Sequence, residues 1–126
     1  MACNLNVIEF PVKLAVASKE GMAISDHFGH AKQFLIYEAR QDSCALLETR
    51  QVAHYCLGNE SSQSAMEGIL VAIKDCYAVF VAKIGDGPTQ KLNAIGVQAV
   101  SAYAYEAIED SLLDYVRRIA ADEEVT

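Results

Sequence analysis

Two short runs without a polar side chain, Leu14-Ala15-Val16-Ala17 and Ala78-Val79-Phe80-Val81-Ala82, constrain this chain more than any other feature. Each is too short for a buried helix, and the β-branched and aromatic residues in them favour a pleated strand. A strand that is apolar on both sides must be covered on both sides. That condition is met where helices pack on the two faces of a largely parallel sheet.

The remaining elements fit the same architecture. Val12-Lys13 leads into the first run, so the first strand is predicted over 12–17. Phe34-Leu35-Ile36-Tyr37-Glu38 and Ala45 to Val52 are two further strands, and the polar Arg40-Gln41-Asp42-Ser43 between them predicts an antiparallel hairpin. Residues 61–75 carry Met66, Ile69, Leu70 and Ile73 at helical spacing. Gly85-Asp86-Gly87-Pro88 interrupts the chain after the strand at 78–82; Pro88 suits the first turn of a short helix that Gly96 ends. Val97 to Val100 is a brief strand. A last helix is predicted over 105–121, with Ile108, Leu112, Tyr115, Val116 and Ile119 along one stripe and an acidic opposite face.

The order β-β-β-α-β-α-β-α describes an α/β domain over 12–126, preceded by an arm, 1–11, that Pro11 ends. The unit from 78 to 100 is a βαβ crossover, expected to be right-handed. Only one strand of the five, the second, runs against the others, so the sheet is mixed.

Charge excludes several partners. A net charge of −7 with ten scattered Lys and Arg residues is wrong for a phosphate backbone, so nucleic acid is not expected. No apolar run approaches the roughly 20 residues that span a bilayer, and the first residues lack the pattern of a signal peptide. A cytoplasmic protein is the expectation. Cys3, Cys44, Cys56 and Cys76 form no CxxC pair and no CxxxCxxC triad. Cys44 and Cys76 read as packing residues, as do Tyr37, Tyr55, Tyr103 and Tyr105.

Ligands of open α/β sheets bind at the carboxyl ends of the parallel strands. The first strand delivers residues 18–30 to that edge, the third delivers His54-Tyr55-Cys56-Leu57-Gly58, and the strand at 78–82 delivers Gly85-Asp86-Gly87. His27 and His30 read in two ways, as loop hydrogen-bonding residues or as metal ligands, with His54 and Cys56 as a second arm of nitrogen and sulfur donors. Gly85 and Gly87 are either a plain strand-to-helix turn or an anion cradle of backbone N–H groups. No nucleophile–base pair stands at recognisable spacing, and Asp26 and Asp86 are too few carboxylates for a magnesium-dependent nuclease. A binding protein, not an enzyme, is expected.

The segment Val16-Ala17-Ser18 through Asp26-His27-Phe28-Gly29-His30-Ala31, followed by Phe34-x-Ile36-Tyr37-Glu38, resembles the dinitrogenase iron–molybdenum cofactor-binding family. That family includes the NifX and NafY-type carriers and the carboxyl-terminal domain of NifB. Tyr55-Cys56-x-Gly58, Asp75-Cys76-x-Ala78-Val79, Ile84-Gly85 and Leu92-x-x-x-Gly96-Val97 extend the resemblance over most of 12–120, and the Tyr-Cys and Asp-Cys segments look most like the NifB type. The resemblance implies a ribonuclease-H-like three-layer fold with a mixed five-stranded sheet. It implies binding of an iron–sulfur or iron–molybdenum cofactor, or a precursor cluster, in exchange with nitrogenase assembly proteins or apo-dinitrogenase. His27 is the implied cluster contact, with His30 and Cys56 as additions and Ser25, Phe28 and Gly29 completing the motif. Lys19, Lys32 and Lys83 are the cations nearest to hand for an anionic cluster. Relatives that bind other metal–sulfur clusters outside nitrogen fixation, and a protein–protein adaptor without cargo, are the alternatives.

Overall fold

The computed structural model describes residues 10–52, 62–121 and 125, with the side-chain surroundings of 62–66 excepted. The expectations placed on residues 1–9 and on His54, Tyr55, Cys56 and Gly58 lie outside the described residues.

Five strands form one sheet: β1 (Val12–Val16), β2 (Gln33–Ala39), β3 (Cys44–Gln51), β4 (Ala78–Phe80) and β5 (Gln98–Val100), in the spatial order β3-β2-β1-β4-β5. Among the described residues three α-helices accompany them, α1 (Ser62–Ile73), α2 (Asp86–Ala94) and α3 (Ile108–Ala120). β1, β4 and β5 are mutually parallel, while β2 runs antiparallel to both β1 and β3. The sheet is therefore mixed, with β2 the reversed strand.

Alternation along the strands divides the core into two layers. Leu14, Val16, Leu35, Tyr37, Phe80 and Val100 pack with Ile108, Leu112, Tyr115, Val116 and Ile119 of α3. Ala15, Ala17, Phe34, Ile36, Val79, Val81 and Ala99 pack with Ile69 and Ile73 of α1 and Leu92 of α2. Each large apolar side chain so buried contributes about 1.5–3 kcal/mol relative to exposure. The apolar runs of β1 and β4 thus have the double cover that their composition demands. Cys76 is buried in the second layer, whereas Cys44 is only half-buried.

Two boundaries differ from expectation, each for a local reason. β4 stops at Phe80 because Ala82, the next residue to face the β1 side, donates its N–H to the carbonyl of Asp26, at 2.9 Å, and not to β1. α2 begins at Asp86, so Pro88 lies within the first turn as its sequence position predicts, where its missing N–H costs no helical bond. α3 begins at Ile108, not near 105, because Tyr105 has φ +66° and its N–H donates to Ile24 at 2.8 Å. Tyr105 is consequently 64% exposed and no packing residue. Gly96, at φ +83°, closes α2: Val97 donates to the Leu92 carbonyl at 2.9 Å, which satisfies one of the helix's terminal acceptors.

Candidate functional site

The connection after β1 is tied down at several points. The Ser18 hydroxyl accepts from Gly21 N–H at 2.8 Å, where φ +86° suits glycine. Ser25 accepts from Lys19 N–H at 3.0 Å and donates to Glu20 at 2.7 Å, while the other Glu20 oxygen accepts from Ala23 N–H at 2.8 Å. The Ser25 hydroxyl holds the Glu20 carboxyl below its ordinary range. Ser25 is thereby committed to shaping the loop.

The chain then returns against the sheet. Asp26 N–H donates to Ala17 at 3.1 Å, Phe28 N–H to Lys83 at 2.9 Å, and His27 pairs with Lys83 as a parallel bridge. The segment 26–28 therefore fills the gap above the carboxyl ends of β1 and β4. Phe28, 1% exposed, drives its ring into the layer beneath α1 and α2, 6.0 Å from the Phe34 ring. Its surface is spent on the core, and its part in the turn is to anchor it.

Phe28–His30 is a single 3-10 turn with His27 at its cap. Side chains three residues apart eclipse in that geometry. The rings of His27 and His30 accordingly stack at 5.4 Å between centroids, 17° from parallel. His27 is half-buried, His30 exposed and Gly29 half-buried.

Beside this turn lies a cavity of about 480 Å³, lined by Ser18, Lys19, Asp26, His30, Lys32, Gln33 and Gln51. Its walls come from the loop after β1, the start of β2 and the end of β3. Val52 N–H donating to Lys32 at 2.8 Å holds the last two together, and the amides of Gln51 and Gln33 bond at 3.0 Å. Asp26, only 9% exposed, accepts from His27 N–H at 3.1 Å. Two lysines therefore line the same cavity as one buried carboxylate that is already partly satisfied.

The edge gathers the sequence candidates unevenly. His30 lines the cavity, and His27 stacks on it without joining the lining. Gly85 and Gly87 stand at the start of α2, two and four residues beyond the Lys83 bridge, and are not in the lining. A Cβ on Gly87 would meet nothing within 4 Å, and one on Gly85 only Pro88 at 3.7 Å, so the backbone there is open to approach. Among the described residues, no three His, Cys, Asp or Glu side chains gather closely enough to hold a metal ion. Ser18, Gln33 and Gln51 are lining residues the sequence did not single out. For the two glutamines the signal lies in the hairpin, whose open end puts Gln33 opposite Gln51. Among the described residues no helix is long and apolar enough to cross a membrane.

Comparison with known proteins places these features in a family. Residues 11–118 match the family model described as dinitrogenase iron-molybdenum cofactor. The chain is 39% identical over 110 residues to the FeMo cofactor biosynthesis protein NifB of Herbaspirillum seropedicae, covering 84% of this chain and 21% of that protein. It is 38% identical over 112 residues to NifB of Azotobacter vinelandii, covering 86% and 22%. The chain thus spans about a fifth of the length of these relatives. A crystal structure of a putative dinitrogenase from Methanocaldococcus jannaschii superposes with TM-score 0.56 at 15% identity, covering 86% of this chain and 90% of that one. At that identity the likeness is one of fold.

Proposed function

Because the chain belongs to the dinitrogenase iron-molybdenum cofactor family, we propose that it binds an iron–sulfur cluster as cargo. The cargo is the iron–molybdenum cofactor or a precursor of it. The domain acts in the cytoplasm as a non-catalytic carrier that receives the cluster from, or yields it to, nitrogenase assembly proteins or apo-dinitrogenase.

The observation that carries this reading is the His27–His30 stack beside a cavity faced by Lys19 and Lys32. Imidazole nitrogen is a suitable ligand for iron. Two imidazoles are fewer than the four ligands of a closed structural site, which suits a guest that brings its own sulfides and must later leave. The lysines supply positive charge to an anionic guest on a chain whose net charge is −7. The open backbone at Gly85 and Gly87 offers N–H groups of the first turn of α2 to the same guest.

The test is anaerobic mixing of the protein with the isolated cofactor or its precursor, followed by gel filtration with iron analysis and visible absorbance. Iron and colour should co-elute with the protein, and His27→Ala and His30→Ala should each reduce retention. A double variant that retains the cluster undiminished would remove the imidazoles from the site. Absence of co-elution with the unmodified protein would remove the carrier reading.

A further inference from the structure

We propose that Asp26 is a ligand to an iron of the cargo cluster, through the carboxylate oxygen that the fold leaves without a partner. The inference rests on the carrier reading and adds to it a contact of a different kind from the imidazoles. Asp26 lines the cavity together with His30 and is only 9% exposed. One of its oxygens, Oδ1, accepts from His27 N–H at 3.1 Å. Among the described residues nothing donates to Oδ2, and no Lys or Arg forms an ion pair with the group. Buried charges in proteins are as a rule paired or bound to metal.

The turn itself does not need this charge. Holding His27 N–H takes one acceptor oxygen, which an amide supplies as well as a carboxylate. The second oxygen and the negative charge are therefore surplus to the local structure, and leaving them buried costs stability. The backbone keeps them in place. Asp26 N–H donates to Ala17 at 3.1 Å and its carbonyl accepts from Ala82 at 2.9 Å, which ties the residue to the chain just beyond β1 and β4. A carboxylate on so fixed a backbone is arranged in advance for a ligand.

The mixed lining is complementary to one kind of guest. Lys19 and Lys32 would repel a bare cation, and Asp26 would repel a simple anion. An iron–sulfur cluster satisfies both. Its sulfides carry negative charge and accept from ammonium groups, while its irons take carboxylate and imidazole ligands together. A cluster also holds its irons apart, so Asp26 and the histidines need not converge on one point, and among the described residues they do not.

Asp26→Asn tests the proposal, because it keeps an acceptor for His27 N–H and removes the charge. Anaerobic titration with isolated iron–molybdenum cofactor, read as protein-bound iron after gel filtration, should show retention weakened by roughly tenfold or more. The sign is decisive: a carboxylate acting only through space repels the cluster, and its removal would tighten retention. Urea unfolding of the cluster-free variant should give a midpoint equal to that of the unmodified protein or higher. Retention unchanged or tightened in Asp26→Asn would take Asp26 out of the site and leave the carrier reading standing. A variant that fails to fold, or unfolds at lower urea, would show that the charge serves the fold and would overturn the proposal. No uptake by the unmodified protein would end the carrier reading, and this proposal with it.

Discussion

The backbone N–H of Phe28 donates to the carbonyl of Lys83 at 2.9 Å, which makes the histidine turn a continuation of the sheet and no free loop. The Phe28 ring below and the backbone ladder beside it hold His27 and His30 in their stacked arrangement. Ligand geometry at this edge is therefore inherited from core packing.

Phe28→Ala should destabilise the fold by about 3–5 kcal/mol, the range for deleting a buried aromatic ring. Urea unfolding measures it. The same variant should lose retained cluster more than its stability alone predicts, because the turn loses its anchor.

The Arg50 guanidinium donates to the Ala72 carbonyl at 2.6 Å and to Asp75 at 2.7 Å, and also bonds Glu48 at 2.6 Å. Hydrogen bonding from Arg50, then from Lys13, holds the Asp75 carboxyl well below its ordinary value of 3.8. A lowered folded-state value means the contribution is present above about pH 4 and lost as pH falls below it. The urea midpoint should drop on acidification through that range, and Asp75→Asn should flatten the drop. An unchanged acid limb in Asp75→Asn would exclude this carboxylate as its source.

Burial, followed by the nearby Asp75 charge, pushes the Cys76 thiol up to about 12, and burial also raises Cys44. Only thiolate alkylates readily. At pH 8, peptide mapping after iodoacetamide treatment should find Cys44 labelled before Cys76, with Cys76 labelled only as the protein opens. For Cys76 the raised value favours the protonated fold, so its contribution falls as pH rises from about 9 toward 12.

Gly96→Ala should cost about 1 kcal/mol, from the left-handed conformation alone, because a Cβ there meets nothing within 4 Å. Gly87→Ala, inside α2 and equally open, should leave stability unchanged or raise it by up to about 1 kcal/mol. Thermal unfolding of the two variants side by side distinguishes them.

Lys19→Ala with Lys32→Ala should weaken cluster retention and reduce its sensitivity to salt, since both residues line the cavity. Retention measured at low and high ionic strength checks this. Equal salt sensitivity in the unmodified and doubly substituted proteins would show that these lysines do not meet the cluster's charge.

Much of the fold was legible because its signals are local. The apolar runs at 14–17 and 78–82 announced strands covered on both faces, the polar 40–43 turn a hairpin, and the stripe from Ile108 to Ile119 a helix against the sheet. The arrival of residues 18–30 and Lys83 at one edge followed from strand direction. Less legible was the anchoring role of Phe28, which comes from packing against Phe34 and the helices. The start of α3 was misplaced because pairing of Tyr105 with Ile24 joins segments about 80 residues apart.

The histidine turn shows where the division falls. Its motif, and the strand that carries it to the carboxyl edge, are properties of the sequence. The cavity beside it depends on hairpin register. With no irregularity, a hairpin closed at Arg40 and Ser43 would set Arg50 opposite Gln33, on the α3 side of the sheet. The bulge at Leu46 and Leu47 shifts the register by one residue, which sends Arg50 to the α1 side and sets Gln51 opposite Gln33. A one-residue shift reverses the face of every following side chain. The sequence by itself determined the layers, the strand directions and the edge where the histidines stand. Only the tertiary structure decided that Arg50 reaches Asp75 and that Gln51 joins the cavity, because a bulge is chosen by packing on both faces of the sheet at once.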